Sequence, residues 1–577
     1  MIETTAQIHR RRRAVKIAAL GVVVLATLGG AYAYKTLFAR PGESALKYIP
    51  ADAMLAVSID LSPSPTQALV FKRIDDALGR NGLDRFAENS FLDMVDKNPL
   101  NAELAPLVRR GVAGCLDQKP GKTGSDVSGI IIVSLTDGTK AQEILSKHAQ
   151  VNYYRGAKYY VTTGSHMGMM VVDDFLILAA DPIELLKVKE IREGALPSIT
   201  SVAEFNSARD QVASDANVLV FASPKLWANI GNNKIDTTPE WGALGIAIRD
   251  GGIGLSAAGK MDLSKHPEMR AYSDLPPIRT DLFDVMPAGS YGLFAVSDPA
   301  SAFGIAEKSV FKDKDMHKGL QDAENSVEKS IGLSVKEDLL PGLQGDAAVG
   351  IYPSDTTQAA GLDVLAMIDD QNGGDPGAAV EKFQSFMNQQ ATKEGNAPNL
   401  FEKRAIEGGS EFRINDRAEA DMRKGLGDGL DSNQFNKSAL VGKKTVVFAV
   451  VGKTVIAATS QDLLDRAVTS YRSKTNGLAG DASFAPYQKS LLDGSQGMMV
   501  LSISRMAEGV KNTFHPKTAD ADGAKLFGSV MDALQSLKEP LTIKGKSTPD
   551  GISAGGVFIP MDFDKLIDII GGQMKKK

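Results

Sequence analysis

The sequence predicts an α+β protein, with an N-terminal transmembrane helix followed by two duplicated halves of antiparallel sheet with packed helices. Three observations lead to this prediction. An uncharged run near the N-terminus is long enough to cross a bilayer, the same order of apolar strands and capped helices occurs twice, and a D-G hairpin turn ends each half. With 577 residues, the chain is also too long for a single core.

The N-terminal run, Ile17–Tyr34, contains no charged residue and would form a helix about 27 Å long. Four arginines, Arg10 to Arg13, and Lys16 precede it. The positive-inside rule then keeps the basic tail, residues 1–16, in the cytoplasm and places the body beyond the membrane. We therefore expect a single-pass anchor over 17–38 in a bacterial inner (cytoplasmic) membrane, with residues 17–34 in contact with lipid and the body in the periplasm.

A cleaved signal peptide is the alternative interpretation of this segment. Ala31-Tyr32-Ala33 has the small-residue pattern of a cleavage site, which would secrete the protein after cleavage near Ala33. The apolar run is longer than the usual 7–15-residue core of a signal peptide. The length therefore favours an anchor that is retained.

The charge distribution argues against nucleic-acid binding. Residues 1–40 carry seven bases and one acid, a net charge of +6, whereas the whole chain carries -5, so the remainder carries -11. An acidic body repels phosphate backbones. The single cysteine, Cys115, excludes an intrachain disulfide and is expected to be a small buried residue on a strand.

The body repeats its order of elements, which predicts a first α+β repeat over 45–262, a linker over 263–281 and a second repeat over 282–577. Pro50 and Pro287 each begin a turn that leads into an apolar strand. The longest match aligns Leu176–Leu186, without a gap, with Thr454–Leu464.

Several local signals complete this assignment. Asp250-Gly251 and Asp550-Gly551 predict a hairpin at the end of each half. A polar, Gly-rich stretch near 388–442 is interpreted as an insertion in the second half that forms a surface loop. Apolar residues at helical spacing from Phe563 onwards predict a closing helix.

Three segments carry a likeness to a known family: Tyr48–Ala53 after the anchor, Asp338–Leu343 leading into Gly345–Val349, and the Ala457-Ala458 turn before Leu463-Leu464. In these segments the halves resemble the bacterial envelope family catalogued as domain of unknown function 3352 (DUF3352). The resemblance implies an anchored extracytoplasmic protein and brings no catalytic residues with it.

Three patterns suggest catalysis or phosphate binding, and each fails a physical requirement. Gly121-Lys122-Thr123 ends like a phosphate loop, but Leu116 stands where the first glycine is needed. Ser326 and Lys329 have S-x-x-K spacing, yet the K-T-G element precedes them, the reverse of the usual order. Ser290 lies in an elbow-like motif, but a strand is expected after it where an elbow needs a helix.

No metal site is predicted either. The histidines lack metal-ligand spacing; they are His9, His148, His166, His266, His317 and His515. The acidic segment Asp369–Asp375 makes calcium conceivable, but it lacks the EF-hand spacing. Asp173-Asp174 is interpreted as a hairpin turn.

We therefore expect a membrane-anchored extracytoplasmic protein that is not an enzyme, with no catalytic, cofactor-binding or metal-binding residue and no cofactor. It would be a binding or scaffold module of the cell envelope, with an envelope protein as its possible partner. One alternative is a carrier of an apolar or lipid ligand, which predicts an unfilled apolar cavity in each half. Another is an envelope hydrolase with unrecognised motifs, which predicts a cleft with a Ser, His or carboxylate cluster of shifted pKa.

Overall fold

The computed structural model describes most of the chain beyond the N-terminal segment. The described residues are 41–60, 65–77, 99–118, 127–162, 167–212, 214–226, 239–309, 318, 321–322, 324–326, 328, 334–342, 344–354, 362–369, 376–393, 401–414, 447–513, 521–563 and 565. They divide into two compact units, with boundaries at Asp262/Leu263 and again at Pro560/Met561. Among these residues no helix is both long and apolar enough to cross a membrane, and the predicted anchor over 17–38 lies outside them.

Unit 1 is built on an antiparallel sheet. Its strands are β1 Leu55–Asp60, β2 Val108–Gln118, β3 Val127–Leu135, β4 Gln150–Tyr154, β5 Ala157–Val161, β6 Gly168–Val172, β7 Phe175–Ala179, β8 Val218–Ala222, β9 Trp241–Arg249 and β10 Gly252–Lys260. Its helices are α1 Pro41–Leu46, α2 Pro65–Ala77, α3 Pro99–Leu104, α4 Gly138–His148, α5 Pro182–Arg192 and α6 Ala203–Gln211, with 3-10 turns at Ala105–Leu107 and Ile199–Ser201.

Unit 2 has the same kinds of element. Its strands are β11 Gly292–Val296, β12 Asp346–Pro353, β13 Leu362–Asp369, β14 Phe401–Ile406, β15 Gly409–Ile414, β16 Val447–Val451, β17 Thr454–Ala458, β18 Gly497–Leu501, β19 Leu541–Ser547 and β20 Ile552–Pro560. Its helices are α7 Pro267–Ser273, α8 Leu282–Val285, α9 Pro299–Ser309, α10 Pro376–Lys393, α11 Gln461–Ser473, α12 Gln488–Leu492, α13 Ile503–Thr513 and α14 Ala521–Gln535. Shorter turns of helix lie at Val335–Leu339, Leu340–Gly342, Leu478–Gly480 and Ala485–Tyr487.

The two units have the same strand order. In unit 1 the order is β4-β5-β6-β7-β3-β2-β1-β8-β9-β10. In unit 2 it is β14-β15-β16-β17-β13-β12-β11-β18-β19-β20. Every neighbouring pair is antiparallel, so the predicted α+β class with helices packed on antiparallel sheet is confirmed.

Successive side chains of a strand point to opposite faces of the sheet. In the central strands, one of these two faces is completely buried. In unit 2 this face carries Leu293 and Ala295 of β11 and Met498 and Val500 of β18, each at most 2% exposed. Helix α11 packs on the same face through Leu464 and other apolar residues. The interior of this unit is therefore a packed core.

The turns that the sequence predicted are present. Asp250-Gly251 joins β9 to β10, and Asp550-Gly551 lies between β19 and β20, with both glycines in the left-handed region. Asp173-Asp174 forms the tight turn between β6 and β7. Its Asp173 has a φ of 53°, a conformation that Asp tolerates better than most residues.

Part of the predicted insertion is regular structure. Inside the range 388–442, helix α10 continues to Lys393, and β14 and β15 form a hairpin. The interpretation of this part as a surface loop was wrong, because the charged run Glu402–Arg404 lies on a strand that pairs with β15 and is held in the sheet by that ladder. Residues 415–446 lie outside the described residues.

Two predicted boundaries also differ from the structure. The supposed linker 263–281 contains α7 and is bound to unit 2, since Gln496 donates to the Leu275 carbonyl (2.7 Å) and Ile278 donates to the Ser495 carbonyl (2.8 Å). Phe563, assigned to the second half, lies in the apolar cluster of unit 1 instead. Both segments were interpreted from local signals, whereas long-range contacts decide where they pack.

The alignment of Leu176–Leu186 with Thr454–Leu464 was wrong by one residue. Strand β7 ends at Ala179 and α5 is capped by Asp181; strand β17 ends at Ala458 and α11 is capped by Ser460. Ala179 therefore corresponds to Ala458. Both sequences contain an Ala-Ala pair, so an alignment shifted by one residue still matched alanine with alanine. A shift of one residue assigns every side chain to the opposite face of the strand.

Candidate functional site

A small open cleft lies where the chain enters β11 in unit 2. Gly289 has a φ of 89°, so the loop before the strand turns through a conformation that favours glycine. Ser290, the residue of the elbow-like motif, is fully buried, and its hydroxyl donates to the Gly292 carbonyl (3.2 Å). Since β11 follows it directly, Ser290 has neither the exposure nor the helix that a nucleophile elbow requires.

The ion pair between Arg505 and Asp481 stabilises the loop that contains Gly289. Arg505 of α13 donates to both carboxylate oxygens of Asp481, each at 2.8 Å. The same carboxylate accepts from the backbone N–H of Gly289 (3.0 Å) and of Ser483 (2.9 Å). Burial by itself would raise the pKa of Asp481, but the hydrogen bonds from Arg505, Ser483 and Gly289 hold that pKa below its ordinary value.

The cleft itself has a volume of about 240 Å³ and is lined by Gly289, Tyr291, Arg505, Glu508 and Gly509. Burial, and then the negative charge of Glu508, raise the pKa of the Tyr291 phenol. A side chain at Gly509 would collide with that phenol, since a Cβ there would lie 2.1 Å from its oxygen. The cleft thus offers a neutral phenol and one carboxylate, while the guanidinium is already bound by Asp481.

Unit 1 contains a buried charged cluster, made of Asp117, Ser128, Glu184 and Lys187. The Lys187 ammonium lies 2.9 Å from Asp117 Oδ2 and 3.1 Å from Glu184 Oε2, and the Ser128 hydroxyl donates to Glu184 Oε1 (2.8 Å). Burial would lower the pKa of Lys187, but Asp117 and Glu184 hold it above its ordinary value. The cluster links β2, β3 and α5 across the interior.

Unit 2 replaces this cluster with less charged partners. The ladders place Leu116 opposite Gly129 and Ile351 opposite Val364, so Tyr352 corresponds to Asp117. The helix caps likewise place Leu463 at the position of Glu184 and Arg466 at that of Lys187. The Arg466 guanidinium lies 5.8 Å from the centre of the Tyr352 ring, a cation–π contact at the place of the Lys187–Asp117 ion pair.

An exposed apolar row crosses the other face of the unit 2 sheet. Directly paired positions place Val349, Phe294, Met499 and Ile543 side by side on four neighbouring strands. Phe294 is 51% exposed, Ile543 39% and Val349 37%. In unit 1 the position of Phe294 is held by Val57, which is 4% exposed and packs in one cluster with Val70 and Phe71 of α2.

The other residues that the sequence analysis considered for metal binding, phosphate binding or catalysis do not form a cluster among the described residues. His148 bonds Glu103 (2.9 Å), His266 precedes α7, and the other histidines lie outside the described residues. Gly121-Lys122-Thr123 and Lys329 also lie outside them. In the described part of the chain, no group of three or more His, Cys, Asp or Glu side chains could hold a metal ion.

The acidic segment contributes a structural residue. Asp369 accepts from the Thr454 hydroxyl (2.6 Å) and contacts Arg279, so its carboxylate is occupied within unit 2. Residues 370–375 lie outside the described residues. Cys115 is buried on β2, as its sequence context predicted, and burial raises the pKa of its thiol to about 12.

The fold and these sites define a mixed α+β protein whose two units share one strand order. The family model described as "Protein of unknown function (DUF3352)" matches residues 17–399, and the chain belongs to this family. No curated protein matches the chain.

Solved structures give a distant likeness. Crystal forms I, IV and III of TP0453 align with TM-scores of 0.22, 0.23 and 0.22 and with 8%, 9% and 9% identity. The alignments cover 38%, 37% and 38% of this chain and 78%, 80% and 79% of TP0453.

Proposed function

We propose that this protein is anchored in the bacterial inner membrane by residues 17–34 and that its two units, derived from one ancestral unit by duplication, form a non-catalytic binding or scaffold module in the periplasm. The shared strand order supports the duplication. The basic tail before the apolar run supports the orientation.

The exposed apolar row, Val349, Phe294, Met499 and Ile543, is the main observation in support of a binding role. Contiguous exposed apolar side chains on a soluble body mark sites of interaction. Phe294 is the strongest case, because its ring is half exposed at a position where unit 1 buries Val57. A partner with a complementary apolar surface would remove Phe294, Val349 and Ile543 from water together.

The polar clusters support a non-catalytic role. A hydrolase would need a nucleophile or a carboxylate pair open to substrate. Instead, Ser290 is directed into the protein, Asp481 is bound by Arg505 and two backbone amides, and Glu184 is enclosed in the cluster with Lys187. These side chains hold strands and helices in place.

Site-specific photo-cross-linking in native membranes tests the binding role. A photoreactive residue at Phe294 of the full-length protein should give one dominant protein adduct. Leu69 is the matched control, because it is an apolar residue on α2 with 52% exposure. Equal labelling at both positions, or no labelling at Phe294, would contradict the proposal. A lipid adduct at Phe294 without a protein adduct would support the alternative of an apolar-ligand carrier.

Membrane fractionation tests the anchor separately. The full-length protein should stay with the membrane after a high-salt wash, and external protease should digest the body only after the outer membrane is opened. Release by salt of a mature protein that begins at Tyr34 would disprove the anchor and leave export intact. Digestion-resistant protein in intact spheroplasts would disprove export.

A further inference from the structure

The strand β4 forms an edge of the unit 1 sheet with an unusual composition. Among the described residues it pairs with β5 alone. Its sequence, Gln-Val-Asn-Tyr-Tyr, contains no charge, and two of its apolar side chains face solvent: Tyr153 is 70% exposed and Val151 38%. An uncharged edge strand with exposed apolar side chains is a template for pairing with another strand.

The corresponding edge of unit 2 is protected. Strand β14 occupies the same place in the order, and it carries three consecutive charged residues, Glu402, Lys403 and Arg404. Charges on an edge strand oppose pairing because their desolvation is costly. The two units thus share a topology but differ in whether this edge can accept a further strand.

The backbone of β4 is oriented for such pairing. The turn after it, Arg155-Gly156, has φ values of 47° and 79°, as in a type I′ turn. Tyr154 and Ala157, which flank the turn, therefore exchange hydrogen bonds. Because backbone groups alternate in direction along a strand, the N–H and C=O groups of Val151 and Tyr153 point away from β5.

We propose that β4 pairs with β4 of a second copy of this protein, antiparallel, about a two-fold axis at Asn152. This register places Val151 opposite the second copy's Tyr153, and the reverse, so both outward-facing backbones meet and form four hydrogen bonds. The same register pairs an aromatic with a β-branched side chain twice, a favourable cross-strand combination. No like charges meet, because the strand has none.

Other registers fit less well. A shift by one residue sets the outward backbone of one copy against the inward backbone of the other, so no ladder forms. A shift by two keeps the direction of the backbone but loses part of the overlap of the five-residue strand. Self-pairing centred on Asn152 is therefore the register that best satisfies both the outward backbone groups and the overlap of the two strands. This dimer is independent of the partner proposed for the exposed apolar row.

Cysteine cross-linking of the full-length protein, purified in detergent, tests this register. Asn152 faces its own copy at a non-hydrogen-bonded position, where Cα atoms are about 4.5 Å apart, within the range for a disulfide. Under mild oxidation Asn152→Cys should give a disulfide-linked dimer. Gln150→Cys is the matched control, because it is more exposed but lies about 13 Å from its counterpart in this register. The native Cys115 is buried and should not contribute.

A second measurement does not depend on cysteine chemistry. Tyr153→Lys removes both cross-strand pairs and should weaken dimerisation in sedimentation equilibrium by about two- to thirtyfold. At a concentration where both proteins are monomeric, its melting temperature should match the native value, since the side chain is exposed. A monomeric native protein at high concentration, equal cross-linking of Asn152→Cys and Gln150→Cys, or an unchanged dimer in Tyr153→Lys would each overturn the proposal.

Discussion

Arg505 binds Asp481 through two parallel hydrogen bonds of 2.8 Å, and this carboxylate is only 4% exposed. The pair joins α13 to the segment that precedes Ala485–Tyr487. Through the Gly289 amide it also holds the loop that enters β11. A single buried carboxylate therefore connects three separate parts of unit 2.

Asp481→Asn should destabilise the protein by about 2–4 kcal/mol, because it leaves Arg505 without its charged partner. Asp462→Asn is the control: its contact with Arg466 is 3.9 Å long and exposed, so the cost should stay below about 1 kcal/mol. Urea unfolding of the full-length chain measures both. An equally small loss of unfolding free energy in the two variants would show that the buried ion pair stabilises the protein no more than the exposed one.

The pH dependence of this pair has a defined sign. The folded pKa of Asp481 is depressed, so its stabilisation is fully present above the unfolded value of about 3.9 and is lost as pH falls through the folded pKa. The difference in unfolding free energy between the native protein and Asp481→Asn should be constant near neutral pH and shrink below about pH 4. A difference that grows in acid would contradict the lowered pKa.

The buried cluster of unit 1 allows a test with two variants of unequal cost. Glu184→Leu introduces the residue type found at Leu463, leaves Lys187 paired with Asp117, removes the acceptor of the Ser128 hydroxyl, and should cost about 1–2 kcal/mol. Lys187→Met removes the cation that the two buried carboxylates share and should cost about 3–5 kcal/mol. Thermal and urea unfolding compare the two variants. Equal effects would show that the charges do not interact as the distances indicate.

Two strand glycines should respond differently to alanine. A Cβ at Gly129 would lie 2.3 Å from the Cys115 carbonyl oxygen, so Gly129→Ala should cost about 1–3 kcal/mol through displacement of β2. At Gly497 the space around a Cβ is open, and Gly497→Ala should be neutral or stabilising by about 0.5 kcal/mol. The midpoints of urea unfolding of the two variants measure this difference in stability. Equal midpoints would contradict the close approach of β2 and β3.

Cys115 should be chemically inert in the folded protein. Burial raises the pKa of its thiol to about 12, and only the thiolate reacts with alkylating reagents. Iodoacetamide at pH 8 should leave the native chain unmodified and label it once after denaturation, as measured by intact mass. Rapid labelling of the native chain would show that β2 opens readily.

Local signals in the sequence predicted much of the fold correctly. Apolar runs after the turns at Pro50 and Pro287 located β1 and β11, and Asp250-Gly251 located a hairpin because the glycine of such a turn accepts positive φ. The order of these signals in the two halves was sufficient to predict antiparallel sheet with packed helices. Capping was less informative about register, because Asp181, Thr459 and Ser460 are all acceptable cap residues.

The candidate sites could not be read from the sequence. Asp481 and Arg505 are separated along the chain from Gly289, and no local spacing signals that they meet. The exposure of Phe294 is equally invisible, since Phe294 and Val57 both occupy central strands and only the packing of α2 distinguishes them. Contacts between distant segments decide these properties.

The sequence by itself determined the charge asymmetry around the apolar run Ile17–Tyr34, the strands and their turns, and the single cysteine. These depend on side-chain type and short-range period, which are present in the linear order. Only the tertiary structure decided that Ala179 corresponds to Ala458, that Phe563 packs in unit 1, and that Val151 and Tyr153 lie on an uncharged edge. The physical reason is that register, burial and edge position are set by which strands become neighbours, and neighbours in a sheet are chosen by long-range packing.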